Sequence, residues 1–161
     1  MIFRVLLLVT LLIASNTNAI ELKCDFEEVY KTGEVQRGFF LIKDNNLRYE
    51  YFEKSLFKIF YVNEEIYIVE NKDKSKQQQI DKNNTVIEHL MSITYDFPDI
   101  QDHYAFNDVQ VSIEKNIADG FVKRISFKSN KLNMSLYLLN CNFQPINGLF
   151  FKIDPVFEYL K

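Results

Sequence analysis

The feature that most constrains this chain is a two-residue alternation of apolar and polar side chains, broken by a single helical stretch. Leu47-Arg48-Tyr49-Glu50-Tyr51 alternates strictly, so Leu47, Tyr49 and Tyr51 face one side of a strand and Arg48 and Glu50 the other. The same period recurs at Val109, Val111 and Ile113. It recurs again at Leu132, Met134, Leu136 and Leu138, with Tyr137 and Leu139 on the opposite face. Phe121, Lys123, Ile125 and Phe127 share one parity, with Lys123 the basic member of an apolar series. Val35–Lys43, 55–62 and Glu65–Glu70 read as further strands, Gln77–Ile80 as a weak edge strand and 149–153 as a last one, stopped by Pro155. Turn clusters such as Asp44-Asn45-Asn46 and Asn63-Glu64 recur about every 8–12 residues, the spacing of an antiparallel sandwich or barrel.

The helical stretch opens on a capping box, Thr85-Val86-Ile87-Glu88, with Thr85 as N-cap and Glu88 at the third helical position. Val86, Ile87, Leu90, Met91 and Ile93 then recur near helical spacing, which predicts a helix over about 85–95, ending before Phe97-Pro98. A short helix with one apolar side, set among strands, has to lie on a sheet face or over a barrel mouth.

Residues 1–19 read as an address. Arg4 supplies the positive start, 5–14 are apolar, and Thr17 and Ala19 hold the small-residue positions of a cleavage site after Ala19. An uncleaved anchor is the alternative, but the apolar run is well short of the roughly 20 residues that span a bilayer. The mature domain is then 20–161, expected to be soluble in an exported, oxidising compartment. There the pair Cys24 and Cys141 reads as a disulfide, with two free buried thiols as the alternative.

Composition excludes several classes. The 161 residues allow one domain, and a net charge of −3 gives no basic field for nucleic acid. Two Cys and two His are too few for most structural zinc or iron–sulfur sites. There is no Gly-rich phosphate loop, nucleophile elbow or histidine pair at metal spacing, so no cofactor, metal or catalytic residue is assigned and the chain reads as a non-enzyme. His89, in the helix, and His103, in a polar loop after it, read as structural or surface residues. The acidic pairs Glu27/Glu28, Glu64/Glu65 and Asp99/Asp102 could in principle serve a carboxylate-type hydrolase, but solvated charge is the simpler reading. Lys72, Lys74 and Lys76 read as a solvated hairpin tip. Fifteen Phe and nine Tyr beside no Trp remain. They either line an apolar ligand cavity or fill a dry core.

The run Gly38-Phe39-Phe40-Leu41-Ile42-Lys43-Asp44-Asn45-Asn46-Leu47-Arg48-Tyr49-Glu50-Tyr51 resembles a stretch of the periplasmic outer-membrane lipoprotein carriers, the LolA-like family. Its matching positions are Gly38, Leu47, Arg48 and Tyr51. Tyr61-Val62-Asn63-Glu64-Glu65-Ile66-Tyr67-Ile68-Val69 is similar to that family's next hairpin, Gln77-Gln78-Gln79 to its following strand, and Phe151-Lys152-Ile153-Asp154-Pro155 to its closing motif. The resemblance covers most of 34–155 in order and spacing. It implies an incomplete antiparallel β-barrel, a half-barrel, with a helical lid over an apolar cavity. It also implies a shuttle: a monomeric periplasmic carrier that takes lipoprotein acyl chains from an inner-membrane ATP-driven transporter. The cargo passes to an outer-membrane acceptor, with no catalysis by the carrier. The alternative is a related lipid-binding or envelope-sensing module on the same fold. The sequence departs from the family where an N-terminal lid helix would stand, because 24–30 is already strand-like. It departs again where the family's cationic residue and turn proline fall, at Asp44 and Asn45.

On this reading Tyr49, Tyr51, Phe57, Ile59, Phe127 and Leu136 line the concave wall, and Val86, Ile87, Leu90 and Met91 cover it. Met91, flexible and polarizable, suits a variable ligand.

Overall fold

A computed structural model describes residues 20–73, 75–83, 85–116 and 121–153. The expectations for the 1–19 leader, for Lys74 and for Pro155 fall outside these residues. Five strands and a short sixth come first: β1 (Leu22–Tyr30), β2 (Val35–Lys43), β3 (Asn46–Tyr51), β4 (Phe57–Val62), β5 (Glu65–Glu70) and β6 (Gln77–Ile80). Helix α1 (Val86–Tyr95) follows, then β7 (His103–Phe106), β8 (Val109–Lys115), β9 (Val122–Lys128) and β10 (Asn133–Asn142). A 3-10 turn covers Gly148–Phe151.

All ten strands form one antiparallel sheet in the order β6-β5-β4-β3-β2-β1-β10-β9-β8-β7, which is not closed into a barrel. The chain starts at the centre, meanders out to the edge at β6, and must then reach the opposite edge at β7. Helix α1 is the connection between the two edges, so the path itself lays it across a face of the sheet. Local chemistry sets the hairpins. The two-residue loops Asp44-Asn45 and Asn63-Glu64 hold positive φ at both positions (48° and 61°, 52° and 63°), the twist that tight hairpins need.

One glycine is required by a close approach. Phe26 of β1 and Tyr51 of β3 both pair with Gly38 of β2, and their rings meet over it edge to face at 5.6 Å. A Cβ at Gly38 would sit 2.1 Å from the Glu50 carbonyl oxygen and 2.5 Å from the Phe26 ring. Its place in the sequence motif therefore has a packing reason.

Strand parity is inverted at two bulges; the first corrects the sequence reading, and the second brings together the cysteine pair read there as a disulfide. On β9 the register slips between Glu114↔Arg124 and Lys115↔Val122, which makes Lys123 an extra residue. Lys123 turns to solvent and pairs with Glu114 at 3.1 Å, while Val122 and Phe121 are both buried. On β10 the register slips between Lys23↔Asn142 and Asp25↔Leu139, at Asn140, whose φ is +51°. Unbroken alternation would place Cys141 with Tyr137 and Leu139, away from Leu136 and Leu138. The extra residue turns it toward Cys24, and the two form a disulfide.

Two further expectations are corrected. The segment 149–153 is not a strand: after β10 the chain leaves the sheet and crosses its outer face, where the Phe150 carbonyl meets Arg48. It becomes the 3-10 turn, opened by Asn147 Oδ1 accepting the Leu149 N–H at 3.0 Å. His103, expected in a loop, begins the edge strand β7.

Candidate functional site: the helix-covered face

Helix α1 forms where the capping box predicts it. Thr85 Oγ1 accepts the Glu88 N–H at 3.1 Å and donates to the Lys82 carbonyl at 3.0 Å. The inner side of the helix presents Ile87, Leu90, Met91 and Ile93, all buried. They join one apolar cluster with Leu22, Phe26, Phe40, Ile42, Leu47 and other residues on the same face of the sheet.

This cluster collects the residues expected to bind acyl chains. Tyr49, Tyr51, Ile87, Leu90, Met91, Phe127 and Leu136 are buried members, and Phe57, Ile59 and Val86 are partly buried against them. The parity that separated Tyr49 and Tyr51 from Arg48 therefore holds. The described part of this interior is packed with rings rather than lined by them. Tyr49 stacks on Phe26 at 4.1 Å and on Phe40 at 6.2 Å, and Tyr51 meets Phe57 edge to face at 5.5 Å.

The sequence reading missed the polar centre of this face. Beside Glu27 in the sequence Glu28 reads as solvated charge, but it is 3% exposed. Its carboxylate accepts from Tyr30 and Tyr49 hydroxyls at 2.7 Å each and from Tyr51 at 3.1 Å. The signal was present, because Glu28 shares the parity of Leu22, Cys24 and Phe26 on β1. Three phenol donors replace the water this carboxylate loses on burial. Burial first, and then the nearby Glu28 charge, hold the Tyr49 and Tyr51 hydroxyls far above the ordinary phenol range. These phenols are therefore fixed hydrogen-bond donors, not bases.

His89 is the second buried polar group on this face, 2% exposed. Its ring stacks on Phe106 of β7 at 4.4 Å, with Phe127 of β9 at 6.5 Å. Neither ring nitrogen has a hydrogen-bond partner among the described residues. Among those residues no three His, Cys, Asp or Glu side chains gather as metal ligands, and no helix is long and apolar enough to cross a membrane.

Arg48 lies on the outer face, as its parity requires. It is buried there between Phe39 and Phe60, with its guanidinium 5.9 and 5.7 Å from the ring centres. It pairs with Glu50 and donates to the Phe150 carbonyl at 3.3 Å. The C-terminal segment 146–153 thus straps this outer face, while Phe143 before it packs on Phe97 and Phe121 at 5.3 and 5.5 Å, beside the inner cluster. A recess of about 300 Å³ remains beside the strap, lined among others by Phe39, Leu41, Arg48, Ile146 and Phe150.

No protein-family model matches the chain, and no curated protein matches it significantly.

Proposed function

We propose that this protein is an exported, non-catalytic carrier that holds acyl chains between α1 and the inner face of its open sheet. On this reading its cargo is lipidated protein moved between membranes. One observation carries the reading: a single amphipathic helix bridges the two edges of an unclosed sheet and packs on it through an apolar cluster holding all ten expected contact residues.

Magnitudes favour a reversible exchange. Seating Ile87, Leu90, Met91 and Ile93 is worth on the order of 6–12 kcal/mol at about 1.5–3 kcal/mol per side chain. An acyl chain of about sixteen carbons, buried in their place, returns on the order of 12 kcal/mol. The two terms are comparable. Lifting the helix is then offset by the ligand, and affinity is discounted by the rarity of the lifted state, which permits release. The resemblance of Gly38–Tyr51 and the following hairpin to the lipoprotein carriers narrows the cargo from lipids in general to lipidated proteins.

Native mass spectrometry of residues 20–161 purified from the exported fraction tests this. A bound acylated protein or peptide is expected. Free fatty acid or phospholipid alone would favour a lipid-binding or sensing module instead. An empty protein that takes up no apolar fluorescent probe would overturn the carrier reading. Leu90→Glu places a charge on the inner side of α1 and should abolish probe binding while the sheet persists. Unchanged binding would remove α1 from the site.

A further inference from the structure

The helix-covered face contains one group that its apolar packing does not use. His89 projects from α1 into the seam between the helix and strands β7 and β9, where it is met by the flat faces of Phe106 and Phe127. A neutral imidazole can serve there as an aromatic plate. An imidazolium cannot sit there without cost, because it carries a full charge and two N–H donors, and the described residues offer its ring nitrogens no acceptor.

We propose that His89 makes the seating of α1 on the sheet pH-dependent, so that mild acid lifts the helix from the inner face. This inference stands on the helix–sheet interface alone and does not depend on which ligand, if any, the face receives.

The charged and titratable surroundings decide the sign. On α1 itself the neighbour is Glu88, and in the β7–β8 turn it is Asp108. Both carboxylates favour the imidazolium. From β7 the facing group is Phe106, flanked by Tyr104, whose hydroxyl donates to Asp96 at 2.8 Å. From β9 it is Phe127, while Lys128 is exposed and Arg124 reaches Glu114 at 3.1 Å. Burial outweighs the two carboxylates and holds His89 below its ordinary value of 6.5. The lifted helix returns the ring to water and to that ordinary value. As pH falls below 6.5 the lifted state therefore binds more protons than the seated one. Seating is fully favoured above that pH and weakens below it, until the pH reaches the value of the seated histidine. Across that window each pH unit shifts the seated-to-lifted ratio by up to about tenfold.

Hydrogen exchange of the full chain, corrected for intrinsic rates, reads this directly. Between pH 7.5 and pH 5, a loss of protection is expected across the amides of α1, by up to about tenfold per pH unit below 6.5, with β1 and β10 unchanged. His89→Phe keeps an aromatic plate and should make α1 protection independent of pH. His103→Gln, at the exposed histidine, should behave as the wild type. The proposal is overturned if α1 keeps its protection at pH 5, or if His89→Phe loses it equally. It is also overturned if every strand loosens together with the helix. Should His89→Phe not fold, the NMR titration of His89 in the wild type decides: an apparent pKa at or above 6.5 overturns the proposal.

Discussion

The two faces of the sheet are held by different kinds of force. The inner face receives α1 through buried apolar side chains, and its described polar contacts to the sheet lie at the C-terminal end. There Tyr95 bonds Tyr61, and burial together with that bond pushes the Tyr95 hydroxyl up to about 12. The outer face receives the C-terminal strap through directional bonds added to a small apolar cluster of Leu41, Ile146 and Phe151. Lys43 Nζ donates to the Ile146 carbonyl at 2.7 Å and to Glu21 at 2.9 Å, and Glu21 in turn accepts the Ile146 N–H at 2.6 Å. Apolar seating is non-directional and can be replaced by any ligand that buries similar area. Hydrogen-bonded seating cannot be replaced in that way, because each lost partner leaves an unsatisfied group. On the proposed reading, an element that lifts and an element fixed in place share one sheet because only the second adds directional bonds to its apolar seating.

The largest expected effect removes what both faces share. The disulfide closes a 117-residue separation between β1 and β10, worth about 5 kcal/mol in the chain-entropy account. Cys24→Ser should lower the melting temperature under oxidising conditions only, with helix and strap lost in the same transition. Equal melting of oxidised and reduced wild type would remove the disulfide from the account. Next in size is Arg48→Met on the outer face. It takes one of two described cationic partners from Glu50, leaving Lys58 at 3.6 Å, and a donor from the Phe150 carbonyl, and should cost about 2 kcal/mol in urea unfolding. Protection of α1 at neutral pH should not change. If α1 loosens as well, the two faces are mechanically one and the contrast fails.

How much of this was legible in the sequence follows the same division. Alternation in Leu47–Tyr51 separated the two faces correctly, and the capping box placed α1 to the residue at its start. Both signals are local, and local periodicity survives folding. What was not legible depends on distant pairing. The bulge at Asn140 that turns Cys141 inward exists only in the register between β1 and β10. The Glu28 knot needs β1 beside β2 and β2 beside β3, so that Tyr49 and Tyr51 reach across two strands. The apolar run Leu149, Phe150 and Phe151 within 149–153 reads as a strand by local character. Nothing in those residues announces that the chain leaves the sheet after β10 and crosses its outer face to Arg48.

Smaller effects should act on one face alone. Thr85→Ala removes the oxygen that caps the Glu88 N–H, at a cost of about 1 kcal/mol. That is about a fivefold loss of protection, and it should be confined to α1. Equal loss in the strap would contradict independent fastening.

The smallest effect separates the faces by pH. Glu21 is held below its ordinary value of 4.5, first by the Ile146 N–H and then by Lys43. A depressed carboxyl stabilises the folded state above its ordinary value and ceases to do so as pH falls through its folded value. The hold of Glu21 on the strap should therefore persist down to about pH 4.5 and weaken only below it. Helix α1, if His89 governs it as proposed, should begin to loosen already below pH 6.5. Exchange at the Ile146 amide, followed beside α1 amides through one acid titration, should therefore show two separate steps. Glu21→Gln should erase the lower step and leave the upper one in place. A single step at both positions would mean that the strap follows the helix, and that the two fastenings are one.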